Sequence, residues 1–122
     1  MKIDRKAVYQ KYGGRCAYCG EEIPITRMHV DHMKPIWRDT SVGASYKGSD
    51  DFDNLMPSCA PCNLWKSVHP LEEFRAEIAA QVERLRLRSA NFRLAERYGL
   101  VAENKTQVKF YFELAKHTEG QL

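Results

Sequence analysis

Four cysteines fall in two C-x-x-C pairs, Cys16-Ala17-Tyr18-Cys19 and Cys59-Ala60-Pro61-Cys62. A two-residue gap lets a tight turn aim both sulfurs at one ion, and two such pairs suit a tetrahedral tetrathiolate zinc site. Gly20, directly after the first pair, fits a turn that needs a permissive backbone. Two disulfides are the competing reading. The N-terminal run Met1-Lys2-Ile3-Asp4-Arg5-Lys6 has no apolar segment of a secretory signal behind it, which makes a cytoplasmic, reducing compartment the expectation. Disulfides would soon be reduced there. A redox role for the pairs would call for a thioredoxin-like βαβ pattern, which the sequence lacks. Zinc bound in sulfur contributes on the order of 10 kcal/mol to folding, which suits a chain this short.

Thirty-nine residues separate Cys19 from Cys59. A loop that long, held shut by metal, is usually holding something up. It carries Met28-His29-Val30-Asp31-His32-Met33-Lys34-Pro35-Ile36 and then Asp53-Asn54-Leu55, and the second pair runs straight into Asn63-Leu64-Trp65-Lys66. In that order and spacing the residues resemble the HNH endonucleases of the ββα-metal (His-Me finger) group, in its cysteine-bearing, zinc-binding branch. The resemblance covers about residues 8 to 75 and rests on five short motifs jointly rather than on any one of them. It implies an α+β fold: a small ββα-metal core stapled by the four cysteines, with residues 1–75 as the nuclease core. Residues 76–122 are then an extension packed on the same single domain.

The same resemblance implies metal-dependent hydrolysis of DNA phosphodiester bonds, by nicking or cutting, with 5'-phosphate and 3'-hydroxyl products. Such hydrolysis needs a deprotonated water, neutralised phosphate oxygens and help for the departing alkoxide. A neutral histidine can take the water's proton near pH 7, and His32 has that role by resemblance. Asp31 and the helical Asn63 would hold one divalent cation, and Asn54 would position the loop and orient His32. An oxygen-only protein shell favours Mg²⁺ or Mn²⁺ over softer ions. Two unlike metals are therefore expected, structural Zn²⁺ in sulfur and Mg²⁺ or Mn²⁺ in oxygen. Adjacent strand residues face opposite ways, so Asp31 and His32 can share a site only if the strand ends there. Met33-Lys34-Pro35 supplies the stop.

Other residues carry open alternatives. His29 lies two residues before Asp31 on the same strand face and either adds a nitrogen ligand, touches a phosphate, or is a half-exposed strand histidine. Lys66, three residues after Asn63 on nearly the same helix face, either contacts phosphates or is a solvated surface lysine. Trp65 stacks on a base or packs against the zinc knuckle. Asp50, Asp51 and Asp53 recruit a second ion or, with Gly48 and Ser49 beside them, build a turn. His69, before Pro70, reads as a cap position, and His117 has no assigned role.

Around these residues, Asp4 caps a helix whose Val8 and Tyr12 face the core and which ends at Gly13-Gly14. Strands are expected around Arg27 to Val30 and at Leu55 to Met56, with an irregular loop over residues 37–53. Leu71, Phe74, Ile78, Val82 and Leu85 recur at helical steps, which predicts a helix from about Pro70 to Ser89, followed by another from Asn91 to Tyr98. Val108, Phe110, Phe112 and Leu114 alternate with polar neighbours, which predicts a terminal strand.

The 122 residues make one domain, with 43% hydrophobic and 29% charged residues in an ordinary globular balance. No apolar run reaches the length of a membrane span. Net charge is only +3, but Arg84, Arg86, Arg88, Arg93 and Arg97 crowd one helical stretch whose single acid is Glu96. Arg84, Arg88 and Arg93 are thus candidate DNA contacts; a solvated helix face is the alternative. DNA is the expected partner, with no membrane. So short a chain has little room for a recognition domain, which leaves weak specificity or a separate recognition or packaging protein, and monomer and homodimer both stay open. The competing function is a zinc-stabilised nucleic-acid-binding module without catalysis.

Overall fold

The computed structural model describes the backbone of residues 3–39 and 44–119 and the side chains of residues 3–36 and 48–115. Helix α1 (Arg5–Gln10) starts where the Asp4 carboxylate accepts the Ala7 N–H, and it buries Val8 completely. The chain then turns through Gly13 and Gly14 into the first cysteine knuckle. Strand β1 (His29–His32) follows, and it pairs antiparallel with β4 (Leu55–Ser58) in the register His29 to Ser58, Asp31 to Met56 and His32 to Leu55. Every residue of β4 is buried. Helix α2 (Ala60–Lys66) starts directly after β4 and packs on β1, so the β1–β4–α2 unit is the expected ββα core.

β1 stops at His32, as Met33-Lys34-Pro35 requires. The segment after it departs from the expected irregular loop: β2 (Ile36–Asp39) and β3 (Ala44–Lys47) pair as an antiparallel hairpin, with Trp37 opposite Tyr46. An aromatic on each arm, Trp37 and Tyr46, and β-branched Ile36 on the first favour strand backbone over a loop. Residues 40–43, part of the same expected loop, lie outside the described residues. A 3₁₀ turn at Phe52–Asn54 leads into β4.

The long helix expected from Pro70 is two, α3 (Leu71–Ala79) and α4 (Gln81–Arg88), with Ala80 at the junction. Helix α5 (Ala90–Arg97) starts where the Ser89 hydroxyl accepts the Phe92 N–H. The expected C-terminal strand is absent: residues 108–110 enter no ladder, and Tyr111–Glu119 is helix α6. Alternation predicted the burial of Phe110 and the partial burial of Val108 and Phe112, but Leu114 is exposed and the backbone is not a strand. Phe110 and Phe112 close around Tyr18, whose ring meets those of Phe74, Phe110 and Phe112 edge-on at centroid distances of 5.4, 5.4 and 6.1 Å. The Glu113 carboxylate meanwhile accepts the Phe110 N–H and so caps a helix start. The core thus joins α1, the first knuckle, β4, α3 and the tail. Among the described residues no helix is long and apolar enough to cross a membrane.

The tail is held by Arg75. Its guanidinium donates to both Glu113 oxygens at 2.8 Å and to the Val108 carbonyl at 2.8 Å, and lies 4.6 Å from the Phe110 ring centroid. The hydrogen bonds from Arg75 hold the Glu113 carboxyl below its usual range. A lowered carboxyl pKa stabilises the fold above the ordinary glutamate pKa, and that contribution disappears as pH falls through the lowered value. Glu113→Gln should therefore cost about 1 kcal/mol at pH 7, kept small because the pair is partly solvated. The deficit should shrink as pH falls from the ordinary glutamate range through the lowered value. Urea melts of both proteins across this range check it, and a deficit independent of pH would contradict it.

Candidate nuclease site and zinc centre

The first knuckle is built by main-chain bonds: Cys16 N–H donates to Glu21 O at 2.8 Å, and Gly20 N–H to Cys16 O at 3.0 Å. Gly20 has φ +81°, and a Cβ there would sit 3.0 Å from the Tyr111 ring, so both the turn and the docked tail call for glycine. The knuckle is tied to β4 by Ala17 N–H on Pro57 O at 2.8 Å, and to the tail by the N–H groups of Tyr111 and Phe112 on Tyr18 O and Ala17 O. The second pair opens α2, with Cys59 at its N-cap.

All four sulfurs lie within 4.8 Å of one another, and Cys19 Sγ and Cys59 Sγ are 3.7 Å apart. Four bonds of about 2.3 Å in a tetrahedron put sulfurs roughly 3.8 Å apart, so the cage fits Zn²⁺. The hydrogen bond from Cys62, helped by amides that include Tyr18 N–H, pushes the Cys16 thiol down to about 4. Cys62, on the other end of that bond, is pushed up. Burial raises Cys19 to about 11. Four such sulfurs without a cation must share protons, and a divalent ion would release them.

Asp31 and Lys66 meet in the interior. The Lys66 side chain is 0% exposed and that of Asp31 6%, and Lys66 Nζ lies 3.1 Å from Asp31 Oδ2. Lys66 Nζ also donates to the His32 carbonyl at 2.9 Å, and the Tyr18 hydroxyl donates to the same Asp31 Oδ2. Burial pushes the Asp31 carboxyl up, and Tyr18 and Lys66 pull it back. The surface and phosphate-contact readings of Lys66 both fail here: its ammonium is enclosed and already partnered. Removing a charge from water is tolerable only with such partners. With Oδ2 so committed, Oδ1 of Asp31 remains for any further ligand.

His32 is half-buried, and its Nε2 lies 2.7 Å from Asp50 Oδ1. Asn54 is buried and fastens the surrounding loop: its Oδ1 accepts Lys34 N–H at 2.8 Å, and its Nδ2 donates to Lys34 O at 3.1 Å and Ser49 O at 2.8 Å. Asn63 is half-buried on α2, and His29 is exposed opposite Ser58. Among the described residues neither side chain has a hydrogen-bond or ion-pair partner. Trp65 is half exposed. His69 lies 3.3 Å from Glu73, just before the α3 start, and the side chain of His117 lies outside the described residues.

The arginine stretch is less available than its composition suggests. Arg84 pairs with Glu77, and Arg86 bonds Glu83, Glu96 and Glu103. Arg93 donates to the Arg86 and Leu87 carbonyls at the end of α4. Arg84 and Arg93 thus brace the helical extension, whereas Arg88 is exposed. Two residues central to the site carried no signal as singletons in the sequence. Tyr18 sits between the cysteines, where its hydroxyl reaches Asp31, and Asp50 was one of three acids in a turn.

Lys66→Met should destabilise the zinc-loaded protein by about 3–5 kcal/mol, because it strands a buried carboxylate. A surface lysine would cost within about 0.5 kcal/mol. Adding Asp31→Asn to Lys66→Met should recover part of the loss in urea melts, and no recovery would contradict the pairing. Stripping the metal with a strong chelator should abolish the circular dichroism signal cooperatively; a spectrum unchanged once zinc is shown to be gone would refute the staple.

No curated protein and no solved structure matches the chain. Residues 16–68, however, match the family model described as HNH endonuclease. The matched span runs from Cys16 through both strands of the core sheet to the end of α2, and so contains the four sulfurs, Asp31, His32, Asn54 and Asn63. Over these residues the chain is similar to the HNH endonuclease family.

Proposed function

We propose that the protein is a metal-dependent endonuclease that hydrolyses DNA phosphodiester bonds. The observation that supports this reading is that β1 ends at Asp31-His32 within the matched residues, where Asn54 fastens the chain that follows. His32 accepts the proton of the attacking water. Asn54 keeps the backbone after His32 in place through its two bonds to Lys34, so the imidazole presents a constant direction to the phosphate. Lys66 and Tyr18 hold Asp31 by Oδ2, which leaves Oδ1, with the Asn63 amide oxygen from α2, as the oxygen donors for Mg²⁺ or Mn²⁺. Asp31 and Asn63 would hold such a cation, whose chemistry when bound would be to neutralise phosphate charge and support the departing 3' oxygen. The donor set is oxygen only and suits a hard ion; His29, free on the same strand, is a reserve ligand. Among the described residues of the arginine stretch, Arg88 and Arg97 are exposed with uncommitted guanidinium groups for the phosphate backbone.

A second reading is favoured by one observation. The Lys66 ammonium already neutralises Asp31, as in a domain that binds nucleic acid and no longer recruits a cation. Supercoiled plasmid incubated with zinc-loaded protein and Mg²⁺ or Mn²⁺ separates the two. Relaxed or linear product is expected from the wild type. His32→Ala should be slower by about 10²- to 10⁴-fold, the usual contribution of a general base. Equal conversion by both proteins, or binding with no conversion under either metal, would reject the nuclease and favour the binding module.

A further inference from the structure

The segment that delivers Asp50 to His32 is constrained at several points. Gly48 N–H donates to Pro35 O at 3.1 Å. A Cβ on Gly48 would fall 1.8 Å from the Lys34 carbonyl oxygen, so the two chain segments approach more closely than any side chain permits. One residue on, the Ser49 carbonyl accepts from Asn54 Nδ2 at 2.8 Å. The Ser49 hydroxyl donates to Asp51 Oδ2 at 3.0 Å and accepts Asp51 N–H at 3.3 Å. Asp50 is thus bracketed on both sides.

Asn54 is the common anchor. Through Lys34 it fixes the chain two residues after His32, and through Ser49 the chain one residue before Asp50. Its own carbonyl accepts Met33 N–H at 2.9 Å. The 2.7 Å contact between His32 Nε2 and Asp50 Oδ1 is the meeting point of the two segments that this one amide holds together. A flexible surface pair carries little weight, because its side chains lose freedom to meet. Here the backbone on both sides is already ordered, so much of that entropy is lost whether or not the contact forms.

A carboxylate can only accept a hydrogen bond, so the nitrogen facing it carries the proton. In a neutral imidazole the lone pair then lies on the other nitrogen. We propose that Asp50 is a positioning residue for hydrolysis, holding the His32 ring with Nε2–H toward Asp50 and the Nδ1 lone pair toward the reacting water. The proposal rests on His32 being the base, as argued above. It gives the turn acid a purpose that neither a loop-building role nor a second ion supplies. Asp50 touches neither water nor phosphate in this role and acts only through the ring.

Asp50→Ala and Asp50→Asn test it in the zinc-loaded protein. Asp50 is exposed and outside the core, so both variants should fold, and matching thermal melts check that they do. In wild type, nitrogen-edited NMR should show a His32 Nε2 proton protected from solvent exchange, assigned by its loss in His32→Gln. That proton should disappear in Asp50→Ala and persist in Asp50→Asn, whose amide oxygen still accepts it. In plasmid cleavage, Asp50→Ala should lower kcat by roughly ten- to a hundredfold at unchanged KM, and Asp50→Asn should recover most of it, in line with losses seen for partners that orient a working histidine. A ring proton equally protected in Asp50→Ala overturns the proposal. So does a KM that rises while kcat holds, which would make Asp50 a substrate contact. Wild type that shows the protected proton and yet cuts nothing would fail the nuclease reading instead, so the two failures are distinguishable.

Discussion

Four sulfurs drawn to one point tie the turn before β1 to the helix after β4, across thirty-nine intervening residues. The consequence reaches the site through two side chains that sit inside the clamp. Tyr18 lies between Cys16 and Cys19, and Lys66 lies one helical turn beyond Cys62. Their polar ends meet on Asp31 Oδ2. The position of the buried carboxylate is therefore set by how closely the two knuckles are held, and Lys66 carries the same constraint one residue on, to the His32 carbonyl. A thin core could not hold such a charge pair without help. The clamp closes the loop, and the closed loop supplies the walls that the pair needs.

The aromatic cluster is the other side of the same arrangement. Tyr18 gives its hydroxyl to Asp31 and its ring to Phe74, Phe110 and Phe112. The C-terminal extension thus packs against the residue that orients the acid. Phe110 is part of the same core as Val8 and Leu55. The tail covers the back of the knuckle, and Arg75 with Glu113 holds it there. One tyrosine joins the apolar packing of the extension to the polar chemistry of the site.

How much of this the sequence shows depends on how local each determinant is. The paired cysteines, the Asp-His before a proline and the Asn54 and Asn63 positions are short motifs with fixed chemistry, and the β1–β4–α2 core follows from them. Burial was also legible: the alternating Phe110 and Phe112 do face the interior. Their backbone was not, because a period of two describes only which side chains are apolar. The choice of helix at Tyr111 came from Glu113 capping Phe110 N–H and from Arg75 across the chain. Lys66 failed for a related reason. Its helix position was right, but whether that face met solvent or Asp31 depended on how α2 packs on β1. Counting arginines against one acid within residues 84–97 overlooked Glu77, Glu83 and Glu103, which lie outside that stretch in sequence and beside it in space.

These corrections alter where positive charge is available to a polyanion. Lys66 is enclosed, and Arg84, Arg86 and Arg93 have carboxylate or carbonyl partners, so a phosphate would have to displace contacts that hold the fold. Arg88 on α4 and Arg97 on α5 escape this, being exposed and without such partners among the described residues. The backbone around His32 is fastened by Asn54 and Gly48. One buried amide, that of Asn54, is bonded both to the segment that follows the histidine and to the segment that delivers Asp50, so a single side chain fixes how the two approach each other.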